Sequence, residues 1–266
     1  MEREAHPQDF AGRVAVVTGA ARGIGRAIAE NLRGRGAHLI LVDRDAAGMA
    51  SLSADLRSAS SLPVDTIEVD LSSAREVEEL LLKVARLTPK VDVLVNNAAI
   101  EKDVPLAEVT AQFFDQIMAT NLRAPFLVSQ GLVPFFPEAG GAIVNISSIH
   151  ASYAFPHAIP YACSKAALLA LTRNLALELA GRKIRVNAVL PGYIDTAMWE
   201  QWLRTVSNPE EASRLTAELH PLGRRGLPMD VAEAVAYLAG PQAEWVTGTH
   251  LVVDGGLTIR APSLSA

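Results

Sequence analysis

The sequence predicts an α/β fold: a single-domain, doubly wound parallel sheet of about seven strands with helices on both faces, spanning residues 1–266. Three observations carry that prediction. Short β-branched runs alternate with longer amphipathic stretches along the whole chain. A glycine-rich turn stands between the first of those runs and the first helical pattern. The 266 residues contain no low-complexity linker and no internal repeat, so one large unit accounts for them.

Taken in order, the strands are expected at 14–18, 38–43, 64–70, 91–96, 142–147, 184–190 and 250–253, each short and rich in Val, Ile or Leu. The helix after the first strand carries Ile28, Ala29 and Leu32 on one face. In the stretch 73–87, Val77, Leu80, Leu81, Val84 and Leu87 recur at helical spacing, so that face meets the sheet. The helix at 161–180 differs, being apolar nearly all round, with Ala166, Ala167, Leu168, Leu169, Leu171, Leu175, Leu177 and Leu179. A sheet covers one side of a helix, so a partner subunit is expected on the other. Residues 193–226 interrupt the alternation with Trp199, Trp202 and mixed charges, and read as a substrate lid in competition with plain surface packing.

Composition excludes several functions. A net charge of −5 and no basic run interleaved with aromatics argue against nucleic acid. Although 50% of residues are hydrophobic, no uninterrupted apolar run is long enough to span a membrane, and none is expected to. The first ten residues are polar and charged, unlike an export signal. Cys163 is the only cysteine, which rules out an intramolecular disulfide and favours a reducing cytoplasm. The six histidines are scattered, with His150 and His157 the closest pair, so no metal site is expected.

Two segments carry chemistry. The first is Thr18, Gly19, Ala20, Ala21, Arg22, Gly23, Ile24, Gly25, running from strand into helix. Glycines there let the backbone approach a pyrophosphate, and the helix N-terminus offers free N–H groups. A plain glycine-rich turn would look the same, but Asp43 ends the second strand, where a carboxylate accepts hydrogen bonds from both ribose hydroxyls and repels a 2′-phosphate. NAD is therefore expected over NADP. Arg22 and Arg44 flank that position and pull the other way, with the fixed carboxylate expected to dominate. The second segment pairs Tyr161 with Lys165, four apart on one helical face. A nearby ammonium favours the phenolate and draws a poor base toward neutral pH.

Together these residues resemble the short-chain dehydrogenase/reductase family, over nearly the whole chain and in the family's order. The motifs are TGxxxGIG at Thr18 to Gly25, Asp70 after the third strand, a near NNAG at Asn96 to Ala99, Asn121, Ser148, YxxxK at Tyr161 to Lys165, PGxxxT at Pro191 to Thr196, and Val253 to Gly256. Ala99 replaces the last glycine of NNAG, which touches only local loop packing. The resemblance implies a Rossmann-type sheet and a small-molecule substrate. It implies Tyr161 as general acid/base, Ser148 on the reacting oxygen, Lys165 on the nicotinamide ribose and Asn121 ordering a water. It also implies cofactor contacts from Gly19, Arg22, Gly23, Ile24, Asp43, Arg44, Asp70, Leu71, Asn97, Pro191, Gly192, Ile194 and Thr196, and a homotetramer. Taken singly, Ser148 reads equally as a strand end, Asn121 as a helix bend before Pro125 and Asn97 as a turn residue.

For substrate, the sequence offers Glu101, His150 and Tyr193. The stretches Asn97 to Glu101 and Ser147 to His150 resemble those of bacterial glucose 1-dehydrogenases, which implies a sugar or polyol. A carboxylate and an imidazole hydrogen-bond neighbouring hydroxyls, although Glu101, Lys102 and Asp103 read equally as a solvated loop. Alternatives are an NADPH-dependent 3-oxoacyl thioester reductase, with Phe155, Trp199 and Trp202 lining an apolar channel, and a non-catalytic NAD-binding regulatory protein.

Overall fold

In the computed structural model, which describes residues 8–260, seven parallel strands form one sheet in the order 3-2-1-4-5-6-7. The ends of the 1–266 span, and most of the polar amino-terminal stretch, lie outside the described residues. The strands are β1 Val14–Thr18, β2 His38–Asp43, β3 Val64–Glu68, β4 Val93–Asn96, β5 Gly141–Ile146, β6 Ile184–Pro191 and β7 His250–Val253. Their order reverses between β1 and β4, which opens a crevice beyond the strands' carboxyl ends, the usual ligand position in such sheets.

Alternation along each strand builds two cores. Ala15 and Val17 of β1, Leu39 and Leu41 of β2 and Val93 and Val95 of β4 face the layer made by α1 (Gly23–Gly34), α2 (Ala46–Ala59) and, at the carboxyl end of the chain, a helix at Pro228–Ala239. Val14, Val16, Ile40, Val42 and Leu94 face the other layer, α3 (Ala74–Leu87), the helix Ala124–Leu132 and the end of the helix Ile159–Leu179. Burial on both faces is why the strands read as continuous apolar runs.

Between α3 and β5 the chain forms α4 (Ala111–Met118), a π-helical turn at Ala119–Arg123 and α5 (Ala124–Leu132). The helix Ile159–Leu179 is α6, and its faces are unequal. Leu168, Leu169, Ala176 and Leu179 are buried, whereas Ala166 and Ala170 are exposed and Leu177 is 80% exposed. The 193–226 segment contains two helices, α7 (Ala197–Leu203) and α8 (Pro209–Leu219), before α9 (Pro228–Ala239). Two strands are shorter than the apolar runs suggest: β3 stops at Glu68 and β4 starts at Val93. The flanking residues Val69 and Val91 are buried but lie outside the paired ladder. No helix among the described residues is long and apolar enough to cross a membrane.

Candidate active site

The glycine-rich turn closes against the loop after β4. Gly19 has φ +64°, a conformation that disfavours a side chain, and a Cβ there would meet Ala98 Cα at 2.7 Å. A Cβ on Gly25 would stand 2.0 Å from the Gly19 carbonyl oxygen. Asn97 pins the same turn, its Nδ2 donating to Thr18 O at 3.0 Å and Gly19 O at 2.9 Å, while Thr18 Oγ1 accepts from the N–H groups of Asn97 and Ala98. Asn97 thus shapes the backbone cradle. Gly23 opens α1 at φ +56°, Ile24 packs on the core beneath it, and Arg22 is exposed at the helix N-cap.

Asp43 sits at the tip of β2 as expected, and two backbone donors fix it: Ala21 N–H to Oδ2 and Asp45 N–H to Oδ1, each at 3.0 Å. Arg22 and Arg44 are both exposed and neither hydrogen-bonds this carboxylate. Asp70 ends its strand region as a turn former, Oδ1 accepting from Ser72 N–H at 2.9 Å, and Leu71 is buried behind it. At the far side of the crevice, Pro191 ends β6 and Gly192 packs on Asp254, which a Cβ would meet at 2.9 Å. Ile194 is buried, and Thr196 caps α7 through Trp199 N–H while its methyl lies toward Gly23.

Three elements set the four chemical residues. The π turn widens the α4–α5 helix and carries Asn121, fully buried, whose Nδ2 donates to Ile100 O at 2.9 Å and Ser164 Oγ at 3.1 Å while Oδ1 accepts from Ile100 N–H. Ser148 follows β5. Tyr161 and Lys165 lie one turn apart on α6, and a buried thread docks α6 on the sheet: Asn96 to Asn145, Asn145 to Thr172, and Ser147 Oγ to Lys165 O. Lys165 is 2% exposed, donates from Nζ to Ile146 O at 2.8 Å, and lies 5.4 Å from the Tyr161 ring centre.

Burial pushes the Tyr161 phenol well above its ordinary range, the Glu101 charge pushes it further, and the Ser148 hydroxyl opposes both. Burial lowers Lys165 to about 8, against the pull of Glu101. Desolvation is the largest influence on the Tyr161 phenol, and it acts against the acidification expected from Lys165.

Glu101, His150 and Tyr193 join this group from three separate segments. His150 stacks on Phe155 at 4.1 Å and meets Tyr161 edge-on at 5.3 Å. Its Nδ1 is buried without a partner among the described residues, and burial lowers it to about 4, so it is neutral at physiological pH. Glu101 is raised to about 7 by burial and by Asp103, against Lys165. Tyr193 is raised by burial and by both carboxylates. Asp103, His220 and the Trp202 contact were not legible as site features. Asp103 reads as part of a charged loop, but its Oδ2 accepts from Trp202 Nε1 at 3.1 Å, tying α7 across the crevice. His220 is buried edge-on to Tyr193 at 5.9 Å. Among the described residues no group of three His, Cys, Asp or Glu is placed to hold a metal ion.

Residues 19–258 match the family model described as Enoyl-(Acyl carrier protein) reductase. The chain is similar to the 3-oxoacyl-[acyl-carrier-protein] reductase FabG of Thermotoga maritima, 38% identical over 251 residues that cover 93% of this chain and 98% of that one. It is also similar to the L-fucose dehydrogenase of Oryctolagus cuniculus, at 36% identity over 93% of this chain and 85% of the other. The ligand-free aldohexose dehydrogenase of Thermoplasma acidophilum superposes with a TM-score of 0.88 at 33% identity, covering 98% of this chain and 100% of that one.

Proposed function

Because the chain belongs to the short-chain dehydrogenase/reductase family, oxidoreductases that act on CH–OH or carbonyl groups with a nicotinamide cofactor, we propose that it oxidises a sugar or polyol with NAD. The observation that carries the substrate class is the placement of Glu101 and His150 beside Tyr161, with the His150 ring 5.3 Å from the phenol ring. A site with an unpaired carboxylate and an orphan imidazole nitrogen favours a ligand with several hydroxyls, since each left unmatched is costly. Likeness to a sugar dehydrogenase and to an aldohexose dehydrogenase supports that reading. The likeness to a 3-oxoacyl-[acyl-carrier-protein] reductase keeps acyl-thioester reduction as the rival, with Phe155, Trp199 and Trp202 as its apolar wall.

The residues present fit a dinucleotide, because Gly19 and Gly25 let the turn close tightly on the loop after β4, and no side chain caps the N-terminus of α1, where a pyrophosphate would meet free N–H groups. Gly19, Arg22, Gly23 and Ile24 would hold the phosphates. Asp43 and Arg44 would flank the adenosine ribose, with Asp70, Leu71 and Asn97 on the adenine side. Pro191, Gly192, Ile194 and Thr196 would meet the nicotinamide amide, and Tyr161 and Lys165 its ribose. When bound, the nicotinamide supplies the two-electron acceptor. Tyr161 takes the substrate hydroxyl proton, Ser148 holds the reacting oxygen, and Asn121, fixed on the Ile100 backbone, orients the water through which that proton leaves. Residues 193–226 act as the lid, held by the Trp202–Asp103 bond and by Arg225 packed 4.9 Å over Trp199. Exposed, unpaired Cys163 suits a reducing compartment, and we assign the protein to the cytoplasm.

Steady-state kinetics with NAD and NADP, against aldoses, sugar alcohols, simple secondary alcohols and an acetoacetyl thioester, test this reading. NAD with an aldose or polyol should give the highest kcat/KM, and turnover of the thioester alone would overturn it. Asp43→Ala should narrow the preference for NAD by about tenfold, since it removes a charge held at the 2′ position. A wild-type protein faster with NADP would remove that role from Asp43.

Self-association as a homotetramer is proposed on the face of α6 that carries Ala166, Ala170 and Leu177, and on the groove beside it lined by Met118, Leu122, Phe126 and Leu171. Sedimentation at micromolar concentration should show no stable monomer. A single monomeric species would remove this assignment.

A further inference from the structure

We propose that Ser164 is a positioning residue of the proton-transfer site, setting the place of Asn121 relative to Tyr161. This rests on the reading above that those two residues move the proton, and it holds for a polyol and for a thioester substrate alike. Asn121 on the π turn and Ser164 on α6 are both fully buried, and a hydrogen bond from Asn121 Nδ2 to Ser164 Oγ at 3.1 Å joins the two elements. Ser164 carries the link onward. Its own hydroxyl donates at 2.7 Å to the carbonyl of Tyr161, three residues earlier in the same helix. A serine inside a helix commonly bonds back to its own backbone and makes no other contact. Ser164 also accepts, from a residue 43 positions away.

The partners leave one arrangement. The Asn121 amide has two N–H donors, of which Ile100 O takes one and Ser164 Oγ the other, while Oδ1 accepts from Ile100 N–H. Turned over, the amide would set oxygen against oxygen and donor against donor at Ile100. Because the Ser164 proton lies on Tyr161 O, its oxygen serves Asn121 as an acceptor, and the donors run in one direction from Asn121 to the turn that carries Tyr161. The sheet holds that turn from another side. Ser147 Oγ donates to Lys165 O at 2.9 Å, and Lys165 Nζ donates to Ile146 O at 2.8 Å. Sheet contacts therefore fix Lys165, whereas Ser164 fixes the same turn of α6 against the π turn and, through Asn121, against the Ile100 backbone. Without the Ser164 hydroxyl, one buried Asn121 N–H has no acceptor, and the cost of leaving it unmatched draws the amide away from Ile100. The water site and the phenol then lose their common reference.

Two readouts on the full chain test this: kcat with whichever compound of the panel above the wild type turns over fastest, and amide hydrogen exchange at Ile100, which needs no substrate. Ser164→Ala should lower kcat by about tenfold or more while the NAD dissociation constant stays within about twofold of wild type. Exchange at Ile100 should speed up by about tenfold. Ser164→Thr keeps the hydroxyl and should bring both readouts back to within about threefold of wild type. Should Ser164→Ala fail to fold, Ser164→Cys, close in size and a weak acceptor, carries the same expectations as the alanine variant. In a double-variant cycle, S164A/N121A should match N121A in kcat to within about threefold, because Ser164 acts through Asn121. Losses that multiply would make Ser164 a structural residue of α6 and overturn the proposal. A folded S164A with kcat within about threefold of wild type, or with exchange at Ile100 unchanged, would overturn it as well, and beside an impaired N121A would leave the relay reading standing. N121A as active as wild type would overturn the relay reading of Asn121 and the proposal with it.

Discussion

Tyr161→Phe is expected to lower kcat for alcohol oxidation by about 10²- to 10⁴-fold while leaving the dinucleotide dissociation constant within about threefold of wild type. Only the hydroxyl is removed. The ring keeps its edge contact with His150 and its place against Lys165, so the helix and the cavity keep their shape. The wild-type pH profile should show the same group. Burial and the Glu101 charge hold the phenol well above its ordinary value, so the phenolate fraction at neutral pH is small and grows as pH rises. Oxidation should therefore accelerate with increasing pH, and the reverse reaction, which needs the protonated phenol, should not. Residual Tyr161→Phe turnover within tenfold of wild type, measured with saturating cofactor, would reassign the proton transfer to another group.

Lys165→Ala should damage binding and rate together, raising the cofactor KM by about tenfold or more and lowering kcat/KM by about 10³-fold. The ammonium is 2% exposed and its one described hydrogen bond is to Ile146 O, which leaves two N–H donors for a ribose. The substitution also leaves that carbonyl unpaired and a cavity under α6, so thermal melting should accompany the kinetics. A folded variant with unchanged cofactor affinity would separate Lys165 from ribose binding. A variant with weakened affinity and normal kcat would separate it from the chemistry.

Much of the fold was legible because parallel sheets covered on both faces leave a plain signature. The runs at 14–18, 38–43 and 250–253 coincide with β1, β2 and β7 to the residue. The misjudged ends at Val69 and Val91 have one cause: burial continues past the last paired residue of each strand, and hydrophobicity reports burial and not pairing. Ser73 precedes α3 as its N-cap, accepting from Glu76 N–H, so the boundary expected at 73 was a capping residue. The π turn at Asn121 left no periodic signal, because one widened turn shifts the phase of a helix too little to read.

By itself the sequence determined the layered sheet, the glycine-rich turn at its first switch and the order of Asn121, Ser148, Tyr161 and Lys165. The sheet, the turn and the Tyr161–Lys165 pair depend on local spacing, namely period two in strands, glycine where φ is positive and a one-turn separation on a helix, whereas Asn121 and Ser148 are read only from the resemblance to the family's motif order. The tertiary structure alone decided what surrounds Tyr161. Asp103 and Trp202 stand 99 positions apart and meet only because α7 crosses the crevice at the sheet's carboxyl edge. Of the 101–103 loop, which read equally as substrate-facing or solvated, Glu101 is half-buried whereas Lys102 and Asp103 are exposed, and burial is the largest influence on the Tyr161 phenol. Local pattern specifies which face of an element is buried, whereas desolvation and Coulomb interaction depend on distances between elements that only packing sets.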